Sequence, residues 1–186
     1  TEETVKEIRP EVLVLATGAS PLIPDLPGVH EDSVTTAWDV LGGKAEVGDE
    51  VVVAGGGTVG CKTAELLFSK GKKVTIVEML SDIAHDTDPR DRLFMLERFK
   101  KYGIKSLTNS KVTEVTEEGV VIEDSKGKKR EIATDTVVLA LGSIPSREKA
   151  KNLTMNVSSS YMVGDCVAPR KIYEAIYEGY RVGSRI

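Results

Sequence analysis

Residues Val51 to Glu78 read VVVAGGGTVGCKTAELLFSKGKKVTIVE, and this stretch decides the fold. A β-branched run ends in Gly55-x-Gly57-x-x-Gly60. A helical pattern follows, then Gly71, then a second β-branched run, Val74 to Val77, that stops at Glu78. This is a strand–turn–helix–strand unit with a dinucleotide fingerprint at its first turn. Each part has a physical task. Gly55 permits the tight turn, Gly57 lets a pyrophosphate approach the backbone, and Gly60 lets the helix pack closely on the strand. The helix N-terminus offers N–H groups without intrahelical partners and the positive end of its dipole. Glu78, 23 residues after Gly55, is placed to accept hydrogen bonds from an adenosine ribose. A 2′-phosphate would be repelled by that carboxylate, and Met79, Leu80 and Ser81 follow it where an arginine would be needed. The pattern therefore favours NAD(H) over NADP(H). The bland alternative, a glycine-rich turn in an unrelated α/β unit, does not require the preceding strand, the following helix and the terminal acid together.

Composition narrows the remaining classes. The chain has 186 residues with 40% hydrophobic content, enough for one large domain or one domain with an appendage. Net charge is -4 and the basic residues are interspersed with acids, so neither nucleic acid nor an anionic membrane is expected as a partner. The densest basic run, Lys126 to Arg130, contains Gly127 and reads as a solvated hairpin tip. No apolar stretch reaches the roughly 18 residues of a membrane span. The opening TEETVKEIRPE lacks the hydrophobic centre of a signal peptide, so a cytoplasmic protein, or a piece of one, is expected. The sequons at Asn152 and Asn156 read as chance occurrences.

The two cysteines, Cys61 and Cys166, have neither C-x-x-C nor metal-cluster spacing. Cys61 reads as a small buried apolar residue on the stripe with Ala64 and Phe68. Dithiol–disulfide catalysis within the chain is not expected. The two histidines, His30 and His85, lie in polar segments and read as surface residues. No general acid, general base or metal ligand is assigned.

Along the chain, Val12 to Ala16 reads as a buried strand, and the prolines at 21, 24 and 27 mark a stiff connector. Trp38 to Leu41 reads as a helical turn. Asp88 and Pro89 open a helix in which Leu93, Leu96 and Phe99 share a face and Gly103 is the stop. Lys105–Asn109, Lys111–Thr116, Val120–Glu123 and Lys129–Ala133 read as short strands, which suggests a small antiparallel meander. Thr136 to Leu141 is a further buried strand. Ser146 to Ser160 reads as a loop, Tyr161 to Val163 as a last strand, and Pro169 as the opening of a final helix. That helix carries Ile172, Ala175 and Ile176 on one face and Tyr173, Tyr177 and Tyr180 on another. Three strands end in small-residue turns: Ala16-Thr17-Gly18, Ala140-Leu141-Gly142 and Val163-Gly164-Asp165. Such ends are where open α/β sheets receive ligands, although a glycine there also serves the turn itself.

The order ATGASPLIPDLPG, GGGTVGCKTAELLFSKGKKVTIVE, LALGSIP and GDCVAPRKIYEAIYEGYR resembles the C-terminal part of pyridine-nucleotide-dependent flavoproteins with two dinucleotide-binding domains. These are members of the pyridine nucleotide-disulfide oxidoreductase family. Within it the likeness is to the 2,4-dienoyl-CoA reductase and 2-enoate reductase group, in which an old-yellow-enzyme-like barrel precedes a flavin domain and a nicotinamide domain. The likeness covers nearly all of the chain except Ser146 to Ser160. It implies that Gly55, Gly57, Thr58, Val59, Gly60 and Glu78, with Met79 beside it, bind NAD(H). It implies that Leu141 and Gly142 line the nicotinamide side, and that Ala16, Thr17, Gly18, Gly164 and Asp165 belong to a flavin side that holds FAD in an intact parent protein. Asp165 also reads as a cap for the following helix.

The expected architecture is an α/β, Rossmann-like three-layer dinucleotide-binding domain with a small antiparallel meander, plus edge segments of a second, FAD-type domain. Residues 1–30 form an edge segment and linker, 31–145 the NAD-binding domain, and 146–186 a return loop, strand and helix of the flavin-type domain. One departure from the family matters: its members carry two glycine fingerprints and this chain carries one. The chain therefore reads as a piece whose partner is the remainder of a parent flavoprotein, flavin domain and barrel, and which alone is inactive and holds FAD weakly. The expected function is to present NADH to FAD for reduction of an enoate or enoyl-CoA type substrate. The alternative is a non-catalytic adenine-nucleotide-binding module, as in the likeness to trimethylamine dehydrogenase. A disulfide reductase would need a close cysteine pair.

Overall fold

A computed structural model of the protein describes residues 1–147, 152–154 and 157–186. Two compact units are formed, one by Pro21–Gly142 and the other by Thr1–Ser20 together with Ser143–Ile186. The first half of the chain carries α1 (Glu2–Ile8), β1 (Val12–Leu15), β2 (Ala19–Pro21), β3 (Val34–Thr36), α2 (Ala37–Leu41), β4 (Glu50–Ala54), α3 (Thr58–Ser69) and β5 (Lys73–Val77). Then follow α4 (Pro89–Tyr102), β6 (Lys105–Leu107), β7 (Ser110–Val115), β8 (Gly119–Asp124), β9 (Lys129–Ala133) and β10 (Thr136–Leu139). The described residues end with β11 (Ser143–Pro145), β12 (Ser159–Met162) and a helix here labelled α5 (Ile172–Gly183).

The Pro21–Gly142 unit is built on a parallel sheet in the order β3-β10-β4-β5-β6. Its central strands β4 and β10 read as nearly continuous apolar runs because both faces are covered, whereas the edge strand β6 is largely exposed. Side chains alternate across a strand, and the alternation is visible residue by residue. Val51, Val53, Val74, Ile76 and Val138 enter one core with Cys61, Ala64 and Leu67 of α3 and with Met95 and Phe99 of α4. Val52, Ala54, Val77, Val137 and Leu139 enter a second core with Val115, Val120 and Ile122 of the antiparallel β7-β8-β9 meander. The expected three layers are thus helices, parallel sheet and meander. Lys105–Leu107 joins the edge of the parallel sheet and not the meander. Gly103, in the left-handed region at φ 73°, turns the chain after α4 so that β6 returns parallel to β5.

Helix α4 begins as expected, with Asp88 accepting the Arg90 N–H at 2.9 Å and Pro89 in the first turn. Its inward face differs from the expectation. Met95 and Phe99 are buried, whereas Leu93 is 57% exposed. At about 100° per residue, Met95 and Phe99 lie about 40° apart, but Leu93 stands about 120° from Phe99. At the basic hairpin the turn is organised by Asp124, whose carboxylate accepts the Lys126 and Lys128 N–H groups at 2.9 and 3.0 Å. Those hydrogen bonds, Lys128 first, hold its carboxyl below the usual range.

In the other unit β1 and β12 pair in parallel, with Leu15 opposite Met162. Helix α5 begins at Ile172, with Lys171 as its cap residue, so Pro169 stands in the preceding turn and does not open the helix. The expected loop 146–160 contains a short 3₁₀ turn at Asn152–Thr154. Its remaining reading at 148–151 and 155–156, the Asn156 sequon included, lies outside the described residues. Among the described residues no helix is long and apolar enough to cross a membrane.

Candidate functional site

The glycine turn lies at the carboxyl end of β4, between β10 and β5. From β4 the chain passes through α3 to β5 on one side and returns through the meander to β10 on the other. The order reverses beside β4, and the crevice at such a switch point is where open α/β sheets take ligands. Gly55 has φ 105°, and a Cβ there would stand 2.4 Å from the Ala140 carbonyl oxygen. A Cβ on Gly60 would stand 2.0 Å from the Gly55 carbonyl oxygen and 3.2 Å from the Ala140 Cβ. Both glycines therefore permit close backbone approach. Gly57 precedes α3 with an extended backbone and gives the helix no side-chain cap. The first amides of α3, from Thr58, Val59 and Gly60, accordingly face the mouth of the turn without intrahelical acceptors. Leu141 and Gly142 continue from Ala140 beside this turn, Leu141 38% exposed and Gly142 at φ 100°.

Glu78 follows β5 and is 6% exposed. Its Oε2 accepts the Gly56 N–H at 2.6 Å and its Oε1 accepts the Leu80 N–H at 2.8 Å. The carboxylate thus ties the end of β5 to the glycine turn, and each oxygen retains further acceptor capacity. Met79 beside it is 69% exposed.

The sequence reading missed the segment that packs over this turn. Ile83 and Ala84 are buried, and the Ala84 N–H donates to the Gly56 carbonyl at 2.6 Å. Arg92 Nε donates to the Ile83 carbonyl at 2.9 Å, and its guanidinium pairs with Asp82. On this platform the Asp86 Oδ1 accepts the Thr58 N–H at 2.8 Å, and the hydroxyls of Thr58 and Thr87 are 2.7 Å apart. No fixed spacing announces these partners. The sequence marks the segment only by an apolar pair, Ile83-Ala84, among the polar residues of Ser81 to Thr87.

In the Thr1–Ser20 and Ser143–Ile186 unit, Ala16, Gly18, Gly164 and Asp165 line one cavity of about 330 Å³ with Val163 and Arg170. Thr17 donates its hydroxyl to the Ser146 carbonyl at 3.2 Å. Glu178, also missed, accepts the Gly164 N–H at 2.8 Å and pairs with Arg170. Arg170, and then that N–H, hold the Glu178 carboxyl below the usual range. Asp165 does not cap α5. Its Oδ1 accepts the Arg170 N–H at 3.2 Å, in the turn before the helix. A larger cavity, about 540 Å³, opens at the amino ends of β4 and β5 among Phe68, Lys72, Lys73 and Tyr102. It contains none of the fingerprint residues and is flanked by the Lys73–Glu50 ion pair at 2.8 Å.

His30 and His85 are exposed. Among the described residues no group of three metal-ligating side chains forms. Both cysteines are free and fully buried. Cys61 donates its thiol to the Gly56 carbonyl at 3.2 Å, and burial pushes its pKa up to about 12. A thiolate is the reactive form. Neither thiol is expected to react with a disulfide reagent at pH 8 in the native protein, and both are expected to react in denaturant. Rapid labelling of Cys61 in the folded state would contradict this packing.

Residues 1–179 match the family model described as pyridine nucleotide-disulphide oxidoreductase. The chain is 42% identical to an NADH oxidase of Thermoanaerobacter brockii, over 99% of this chain and 29% of that protein. It is 34% identical to a cinnamate reductase of Clostridium sporogenes, over 100% of this chain and 28% of that protein. A solved 2-naphthoyl-CoA reductase superposes with a TM-score of 0.93 at 37% identity, covering 100% of this chain and 28% of that one. The chain thus spans under a third of the length of these relatives. A family model that matches from the first strand to the last helix, on a glycine turn built as described, shows that the chain belongs to the pyridine nucleotide-disulphide oxidoreductase family.

Proposed function

We propose that this chain is the NAD(H)-binding part of a cytoplasmic flavin-dependent reductase, and that it positions NADH for hydride transfer to FAD. The observation that carries the reading is the carboxylate of Glu78 hydrogen-bonded to the glycine turn at the switch point. The residues present fit the nucleotide. Gly57 presents backbone without a side chain of its own where a diphosphate approaches, the amides of Thr58, Val59 and Gly60 take its oxygens, and Glu78 accepts from the adenosine ribose. Leu141 and Gly142 line the nicotinamide side. Ala16, Thr17, Gly18, Gly164 and Asp165 face the flavin. The two cofactors, when bound, supply the hydride chemistry. The chain supplies binding and orientation, and none of its side chains is assigned a proton-transfer role.

The relative named NADH oxidase supports NADH as the donor. The relatives named for cinnamate and for 2-naphthoyl-CoA support an enoate or enoyl-CoA type acceptor. The partner is the remainder of a larger flavoprotein. Helix α5 supports this, because Ile172, Tyr173, Ile176, Tyr177 and Tyr180 form an apolar surface exposed from 49% at Tyr177 to 78% at Ile172. Continuous apolar surface of this kind marks a covered face.

Calorimetric titration tests the reading. NADH is expected to bind at least about tenfold more tightly than NADPH, because like charges brought together across an interface are strongly unfavourable. Equal or reversed preference would remove the role given to Glu78. ADP binding as tight as NADH would favour a non-catalytic adenine-nucleotide module instead. In the full-length flavoprotein, NADH is expected to bleach the flavin absorbance.

A further inference from the structure

We propose that Asp86 is a built-in anion that occupies the diphosphate's place at the mouth of α3 and must be displaced for a nucleotide to bind. The inference rests on the nucleotide-site reading above. Its Oδ1 accepts the Thr58 N–H at 2.8 Å, the first amide of the helix. The nearest atoms to a Cβ placed on Gly57 are those of the Asp86 carboxylate, with its oxygens at 3.5 and 3.6 Å. The side chain therefore stands against the one fingerprint glycine whose open face a diphosphate needs. A carboxylate there satisfies an orphan N–H and the positive helix end, as a phosphate oxygen does.

The placement is built into the fold. The backbone that presents Asp86 is fixed by Ile83 and Ala84, by the Ala84 N–H to Gly56 carbonyl hydrogen bond, and by Arg92. Asp86 itself is exposed, so its side chain has solvent to turn into when it vacates the position. A tethered anion competes at high effective concentration. Small anions that offer only charge lose to it. A dinucleotide displaces it because its ribose and nicotinamide halves add contacts elsewhere. Asp86 is thus a specificity-determining residue that weakens nucleotide binding and excludes phosphate.

Asp86→Asn retains an oxygen for the Thr58 N–H but removes the charge, and Asp86→Ala removes both. Both are expected to tighten NADH and ADP binding by roughly 3- to 30-fold, the range of a charge at a helix terminus. Inorganic pyrophosphate, a poor competitor of NADH on the wild type, is expected to compete on both variants. Asp91→Asn, with the same change in net charge, is expected to stay within about twofold of wild type. Thermal melts verify that each variant is folded. NADH binding unchanged or weakened in both Asp86 variants would overturn the proposal and leave the carboxylate a simple cap. Tightening by Asp91→Asn to the same degree would also overturn it, as a general charge effect. If wild type and variants alike bind no NADH, the proposal falls together with the nucleotide-site reading.

Discussion

Replacing Gly60 with alanine is expected to destabilise the protein by about 3–5 kcal/mol, at the severe end of single substitutions. The added methyl carbon would stand 2.0 Å from the Gly55 carbonyl oxygen, a backbone atom, and a Cβ has no rotamer by which to turn away. Relief requires α3 to move off β4. That movement opens the core shared by Cys61, Ala64 and Leu67 with Val51 and Val53. Urea denaturation of wild type and variant measures the difference. Gly71→Ala supplies the comparison. Gly71 is also conformationally special, at φ 83°, but a Cβ there meets nothing within 4 Å. Its cost is only the left-handed backbone, about 1–2 kcal/mol. If the two substitutions prove equally mild, the close approach of α3 to the turn is wrong.

The second large effect is expected at Glu78. The sequence marks this residue for a ribose contact, and the structure gives it a structural task as well. Its two oxygens accept the Gly56 and Leu80 N–H groups in a nearly sealed position. Glutamine can satisfy one of these donors and must turn its amide nitrogen toward the other. A loss of about 2 kcal/mol is expected for Glu78→Gln and about 3–5 kcal/mol for Glu78→Ala, since each buried donor left unpaired costs about 1–3 kcal/mol. NADH affinity is expected to fall by at least about tenfold in both, on the scale of a hydrogen bond to a charged group. Binding must be measured where the variants remain folded. Unaltered stability in Glu78→Ala would show that water replaces the carboxylate, and would return Glu78 to a purely ligand-facing role.

How much could be read in advance divides along physical lines. The β4–α3–β5 unit was legible because its requirements are local: a β-branched run, a turn that only glycine can make, and an apolar stripe with helical spacing. The meander was legible for a similar reason, since alternation and turn residues write themselves into short segments. Leu93 leaves the expected face because three leucine- and phenylalanine-type residues at spacing three drift around the helix. Met95, a less conspicuous apolar residue, takes the inward place. The start of α5 was misread because Pro169 is equally at home in the turn before a helix. Asp86, Thr87 and Glu178 escaped notice because their roles depend on distant segments. Asp86 is 28 residues from its Thr58 partner, and Glu178 is 14 from Gly164. Neither pairing follows from any periodicity. The second role of Glu78 is not legible in the sequence, because a carboxylate at the end of a strand says nothing about which amides will crowd around it.

The Pro21–Gly142 unit has its entrance and its exit side by side: the Leu22 N–H donates to the Gly142 carbonyl at 3.0 Å, and the flanking strands β2 and β11 pair with each other. A body whose two ends meet can be spliced into a host as a cassette without prising the host apart. Evolution can therefore exchange such an insert whole. A graft cut at these two points and carried into a relative should keep its own core, because both core clusters are built from residues within Pro21–Gly142.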